Sequence, residues 1–403
     1  MRKRTIDMTH GPLASSLFYF ALPIVITGIL QQLFNTADVA VVGSFVGDAA
    51  MAGVGTCSPI VGIIVSLFEG TALGATVVIS TAIGQKNTEK IHKGVHTSIV
   101  LSLILGVIVS LVLEGLTVTL LKAMNVPAHV FPLAKLYLRI YCAGLVIINL
   151  YNFEVAILRS AGHSKEPLYA LILSGIINVI LNLFFVIVVK MSVAGVALAT
   201  FISNGVSAYL LWRILTSLDE EIRVIPSQIK MDGHLLKEIL IVGAPAGLQG
   251  MLFDIANMII QGAMNTLGTT VIASSSAAFN IEIFVYYLVV GYAQACTTFV
   301  GQNNGANQLE RCRATLRMSL LMAGCMTALM CLALYVLRRP LLSLFTKSEA
   351  VKRIGEIQIY YMCIMYMFSM VQEVSSGYLR GFGVSIIPTI ISIKKGRVPR
   401  PYL

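Results

Sequence analysis

Seven acidic residues sit within or beside long apolar runs: Asp38, Glu69, Glu114, Glu154, Asp254, Glu282 and Glu373. A charge at the centre of a bilayer costs about 2.5–3.5 kcal/mol even on lenient insertion scales. Two chemistries relieve that cost, protonation of the carboxylate or capture of a cation. Both suit a protein that binds and releases H+ or Na+ as it changes shape.

Asp38 has the richest context. It lies in "NTADVAVVG", residues 35–43, with no Lys or Arg between Arg4 and Lys86. Gln31, Asn35 and Thr36 stand one or two helical turns before it and could ligate a cation or bond a protonated acid. The plainer reading is a structural acid bonded to a neighbouring backbone. Asn178 and Asn182, four residues apart, share one helix face. They are either part of a site or hydrogen-bonding glue between helices. Further along, Asp254 is followed by Asn257 and Gln261 on its own face. Glu282 follows Asn280 in "AAFNIEIFVYY", and Glu373 precedes "SSGYLRG". These form a possible second cation or substrate site. Glu69, Glu114 and Glu154 have weaker contexts and read as solvated or snorkelling side chains. The nearest basic residue to the group is Arg139.

The elements that must carry these acids are set by composition. Of 403 residues, 57% are hydrophobic and only 12% are charged, against about a quarter charged in soluble domains. Apolar runs of about 20 residues or more recur, enough to cross a hydrocarbon core. The chain reads as an all-α polytopic membrane protein. Spans are expected near 14–45, 51–83, 96–121, 132–158, 166–190, 194–216, 236–266, 272–300, 315–337 and 355–379, with an eleventh beginning near Ser385.

The formal net charge of +10 does not indicate nucleic-acid binding, because the Lys and Arg residues gather in alternate short loops. That asymmetry, from Arg2, Lys3 and Arg4 onward, puts the N-terminus in the cytoplasm. The segment 338–353, "RRPLLSLFTKSEAVKR", dissents. "MRKR" is not followed by a signal-peptide core. The seven cysteines show no CxxC pair and read as packing residues. The six histidines fall outside the spans or at their edges, and His92 with His96 lacks a third ligand for a metal. There is no P-loop. An enzyme, a metal site and a bound cofactor are therefore not expected.

The one long polar stretch, 218–238, lies mid-chain and invites a search for a repeat. "ALPIVITG" (21–28) resembles "GAPAGLQG" (243–250), "IGQKN" (83–87) resembles "VGQNN" (300–304), and "LRSAGHSKEP" (158–167) resembles "LRGFGVSIIP" (379–388). The offsets of 222, 217 and 221 put all three in one register. Two parallel lobes follow, residues 1–217 and 239–403, joined by a cytoplasmic linker at 218–238. Pro23 and Pro245 are matched in the first helix of each lobe, as hinges or static kinks. After Pro167 the first lobe runs on through two more spans, whereas Pro388 is followed by only 15 residues. The second lobe is thus expected to lack most of its last two helices, and the tail looks truncated.

"LFNTADVAVVGSFVG", "AILRSAGHSKEP", "VAGVALAT", "GAPAGLQG" and "TFVGQNNGANQ" together resemble the multidrug and toxic compound extrusion (MATE) family, over residues 12 to 390 in both lobes. The resemblance implies two six-helix lobes and export of drug-like, often cationic compounds in exchange for Na+ or H+, by a monomer in the plasma membrane. It implies that Asp38 is the coupling acid, with Asn152 and Asn178 beside it. Asn182 stands where several proton-coupled members carry Asp, and the C-lobe acid of the Na+-coupled branch has approximate matches in Asp254 and Glu373. Two alternatives stay open: a lipid-linked oligosaccharide flippase of the same superfamily, which needs a basic cavity to grip pyrophosphate, and a non-functional truncated exporter.

Overall fold

In a computed structural model the chain is described over residues 6–218 and 221–395. Arg2, Lys3 and Arg4, residues 219–220 of the linker and the tail beyond 395 lie outside the described residues. The first half contains α1 (Leu13–Phe45), α2 (Asp48–Gly84), α3 (Thr88–Ala123), α4 (Phe131–Ser160), α5 (Lys165–Leu183) and α6 (Ser192–Ser217). The second contains α7 (Gly233–Asn265), α8 (Thr269–Gly305), α9 (Leu309–Ser343), α10 (Glu349–Gly381) and the short α11 (Ile386–Lys395). Among the described residues, ten helices are long and apolar enough to cross a membrane. No strand occurs among them.

Most helices outrun their apolar cores by a turn of polar residues, and this corrects two expectations. α9 continues through Arg338 and Arg339 to Ser343, so the dissenting loop shrinks to 344–348. Three basic side chains of the segment 338–353 have acidic partners, Arg338 lying 3.9 Å from Glu356. Arg339 lies 2.9 Å from Glu349 and 3.6 Å from Glu356, and Lys352 lies 3.0 Å from Glu349. Extension of α3 back to Thr88 places His92 and His96 on the same helix as the span, and His96 is not solvated. His96 is 1% exposed. Its Nε2 accepts from the Ile225 N–H (3.1 Å) and its Nδ1 lies 2.7 Å from the His92 carbonyl. With the Asp232 N–H donating to Thr97 (3.0 Å) and Lys90 paired to Glu238 (2.8 Å), these contacts pin the connecting segment to α3.

The two halves meet through repeat-related helix pairs, α1 against α8 and α7 against α2. Glycine makes both approaches possible. For α7 against α2, a Cβ on Gly70 would lie 2.1 Å from the Gly247 nitrogen and one on Gly74 2.2 Å from the Ile239 carbonyl. For α1 against α8, one on Gly28 would lie 2.2 Å from Tyr287 Cδ1 and one on Gly291 2.5 Å from Val25 Cγ2. Pro23 and Pro245 interrupt α1 and α7, and their carbonyls accept from threonine hydroxyls, Thr27 at 2.7 Å and Thr389 at 2.9 Å.

Candidate ion-coupling and substrate site

Asp38 is 9% exposed, deep in the first half between α1, α5 and α6. Asn182 of α5 donates through Nδ2 to its Oδ1 at 2.5 Å, and Thr200 of α6 donates to its Oδ2 at 3.2 Å. Behind this contact, Asn182 Nδ2 also reaches Asn178 Oδ1 (3.1 Å), and Asn178 donates to the Ser203 hydroxyl (3.3 Å). The Asn182 Oδ1 is buried with no hydrogen-bond partner. Every group touching the carboxylate is neutral, and among the described residues no basic side chain forms an ion pair with it.

The cradle is built by helix periodicity. Residues 178 and 182 are one turn apart on α5, and 200 and 203 fall on one face of α6, so two helices present two donors to one acid with two further polar groups behind them. Immediately beyond Asn182 the chain forms a π-helical turn, Phe184–Val188. Such turns widen the helix and frequently mark functional positions.

Some expected partners are elsewhere. Asn35 and Thr36 are exposed, and Thr36 bonds the Gln32 carbonyl (2.9 Å), so Asp38 draws its bonds from α5 and α6 instead of its own helix. Asn152 donates to the carbonyl of Ile148 in α4 (3.0 Å) and does not join the cradle. Thr200 and Ser203 were missed as individual ligands. Thr200 closes the quoted "VAGVALAT", but a lone hydroxyl in an apolar helix carries little signal.

The second-half acids do not converge on one point. Asp254 accepts from Ser66 of α2 across the interface between halves, at 2.5 Å. Glu373 pairs with Arg380 (3.0 Å), which also donates to Gln249 of α7 (3.0 Å). Glu282 sits among Leu334, Ile359 and Met362, bonded to Tyr366. Asn257 is exposed on α7. Glu69, Asp254 and Glu373 nonetheless all lie within electrostatic reach of Tyr286, which stacks with Phe253 at 6.3 Å between ring centroids. Carboxylates from both halves therefore gather around one aromatic pair, an arrangement that favours organic cations.

Two expectations about charge are corrected. Glu154 is 0% exposed, and neither carboxylate oxygen has a partner, so it neither snorkels nor meets solvent. It lies near the middle of α4's buried stretch, where hydropathy cannot distinguish a lipid face from a protein face. Arginine, too, is present. Arg159, at the end of α4, donates to Gln294 of α8 (2.8 Å) and faces Glu69, and Arg380 is its counterpart at repeat offset 221. Glu114 does meet the surface, 2.9 Å from Arg139.

A family model described as MatE matches residues 23–184 and 245–394, covering both halves of the repeat. The chain belongs to the MatE family. Curated relatives agree with this MatE assignment. "Probable multidrug resistance protein YoeA" of Bacillus subtilis is 25% identical over 385 residues, 94% of this chain and 83% of that protein. "Probable multidrug resistance protein NorM" of Thermotoga maritima is 25% identical over 390 residues, 95% of this chain and 84% of that protein. Solved MatE-type structures share the fold. One described as an outward-facing conformation of a multidrug resistance MATE family transporter of the MOP superfamily aligns with a TM-score of 0.91 at 23% identity, over 98% of this chain and 88% of that one. Another, a MATE in the bent conformation, aligns at 0.89 and 23%, over 97% and 87%.

Proposed function

We propose that this protein is a secondary active exporter of drug-like organic cations, driven by exchange for Na+ or H+, with Asp38 as the coupling acid of the first lobe. The observation that carries the reading is a buried carboxylate held only by neutral hydrogen-bond donors. Its counter-charge has to come from an ion that arrives and leaves. The relatives' printed roles in multidrug resistance and export support the substrate class.

The cradle offers both coupling chemistries. A protonated Asp38 would itself donate, and rotation of the Asn182 amide would turn its unpartnered Oδ1 into the acceptor. A bound Na+ would use the same oxygen beside the carboxylate and the Thr200 hydroxyl, the hard oxygen set that such cations favour. Coupling then requires only that the ion and the drug prefer different shapes of the transporter. Pro23 and Pro245, with their carbonyls held by hydroxyls, are the bends about which α1 and α7 change shape.

The protein works in the plasma membrane with its N-terminus in the cytoplasm, as a monomer with no resident cofactor, and it moves substrate without altering it chemically. The flippase reading is weaker, because Arg159 faces Glu69 and Arg380 pairs with Glu373, so each of these basic side chains is offset by a carboxylate. The test is extrusion of a fluorescent cationic dye from proteoliposomes under an imposed Na+ gradient and, separately, an imposed pH gradient. Extrusion under one gradient alone identifies the ion, and extrusion under neither rejects the exporter.

A further inference from the structure

The segment before α1 is held by both halves at once. Met8 is fully buried, and its carbonyl accepts from Asn303 Nδ2 (3.1 Å) and Arg311 Nε (3.0 Å) in the second half. Arg311 Nη2 also donates to the carbonyls of His10 (3.0 Å) and Gly11 (3.2 Å). Asp7 Oδ1 accepts from the Thr9 and His10 N–H groups (2.9 and 3.0 Å), which fixes the turn. On the other side the backbone of Ile6 lies against the α4–α5 corner of the first half. A Cβ on Gly162 would stand 2.8 Å from the Ile6 carbonyl. The same corner is gripped directly, since Gln302 Nε2 donates to the Ser160 carbonyl (2.7 Å) and Arg159 to Gln294 (2.8 Å).

We infer that residues Ile6–Gly11 form a strap that closes one face of the transporter, with Arg311 as the positioning residue that anchors it. The inference rests on the exporter reading above, in which the halves rock apart on this face to admit substrate. Lobes that separate there must pull Ser160 and Gly162 away from Gln302, Asn303 and Arg311. The strap touches both parties, so it has to leave one of them first. Arg311 spans the three carbonyls of Met8, His10 and Gly11 with a planar fork of donors, which a single ammonium cannot reproduce. Release of the strap therefore biases the molecule toward the shape open on this face.

The test is a distance. Spin labels on Lys165→Cys and Arg317→Cys, in a Cys325→Ser background, report the separation of α5 and α9 on this face by pulsed electron resonance in nanodiscs. Arg311→Ala and Met8→Ser should each raise the ratio of long- to short-distance molecules by about tenfold, the equivalent of about one hydrogen bond. Arg311→Lys should recover part of the wild-type ratio. Arg313→Ala, which loses the 2.9 Å contact to Glu310, should leave it unchanged. Folded Arg311→Ala and Met8→Ser with the wild-type distribution would overturn the strap, as would an equal shift in Arg313→Ala. If Arg311→Ala cannot be recovered folded, Met8→Ser carries the test, because it changes no residue of α8 or α9. A shifted distribution in a protein that moves no dye would keep the strap and reject the exporter.

Discussion

Asn182 donates to Asp38 at 2.5 Å while its own carbonyl oxygen is buried and unpartnered. One amide is thus satisfied on the side that faces a carboxylate and unsatisfied on the other. Such an imbalance costs roughly 1–3 kcal/mol, and the proposed arrival of a proton or cation at the pair would relieve it. Asn182→Leu should lower ion-driven transport by 10- to 100-fold, following the roughly 1.5–3 kcal/mol that a hydrogen bond to a charged group contributes. The initial rate of dye efflux at saturating gradient checks this.

Thr200→Val removes the second donor to Asp38 with little change in volume. Its bond is longer, 3.2 Å, and its hydroxyl also bonds the Val196 carbonyl. The loss of transport should therefore be smaller than in Asn182→Leu, about threefold to tenfold. A Thr200→Ser variant, keeping the hydroxyl, should stay near wild type in the same assay.

Glu154→Met should stabilise the protein. Burial of a carboxyl without partners is unfavourable, and an apolar residue of similar volume removes that penalty. A rise in thermal midpoint in detergent is expected, readable by intrinsic fluorescence. A fall would mean that Glu154 has a partner that matters to folding.

Gly70→Ala acts on the contact between halves. The added methyl would meet the Gly247 backbone at 2.1 Å, and backbone cannot rotate aside. The variant should lose about 1–3 kcal/mol of stability, the usual cost of overpacking. Gly55→Ala, where nothing lies within 4 Å, should be neutral in the same thermal assay.

A pH effect is expected at the start of α7. Asp232 accepts from the Leu235 and His234 N–H groups, and these bonds hold its carboxyl below the ordinary value of 3.8. A lowered value means that the ionised form favours the folded state. Its stabilising effect is therefore present above about pH 4 and fades as pH falls through the lowered value. Asp232→Ala should lower the thermal midpoint at neutral pH, and the difference from wild type should shrink toward pH 3.

Much of this architecture was legible in the chain. Long apolar runs force helices, and the three aligned anchors mark the repeat in the sequence itself. Asp38 stood out because a charge without a basic neighbour in an apolar run demands an explanation. What the sequence withheld was long-range pairing. Thr200 and Ser66 are ordinary residues in their own helices, and they become partners of Asp38 and Asp254 only when helices 162 and 188 residues apart are packed together. Glu154 failed for a related reason. Burial by protein and burial by lipid look alike along one strand of sequence, so its sealed position could not be read. Arg159 and Arg380 were read as loop charges because they end their helices, yet each turns inward to a glutamine.

The proposed coupling of an ion to drug export by Asp38 is open to one decisive comparison. Wild type and Asp38→Asn, matched for amount in the membrane, are assayed for efflux of a cationic dye from energised vesicles. Such coupling predicts gradient-driven efflux in the wild type and its loss in Asp38→Asn, which keeps the size of the side chain and removes the switchable charge. Undiminished gradient-driven efflux in Asp38→Asn would contradict it.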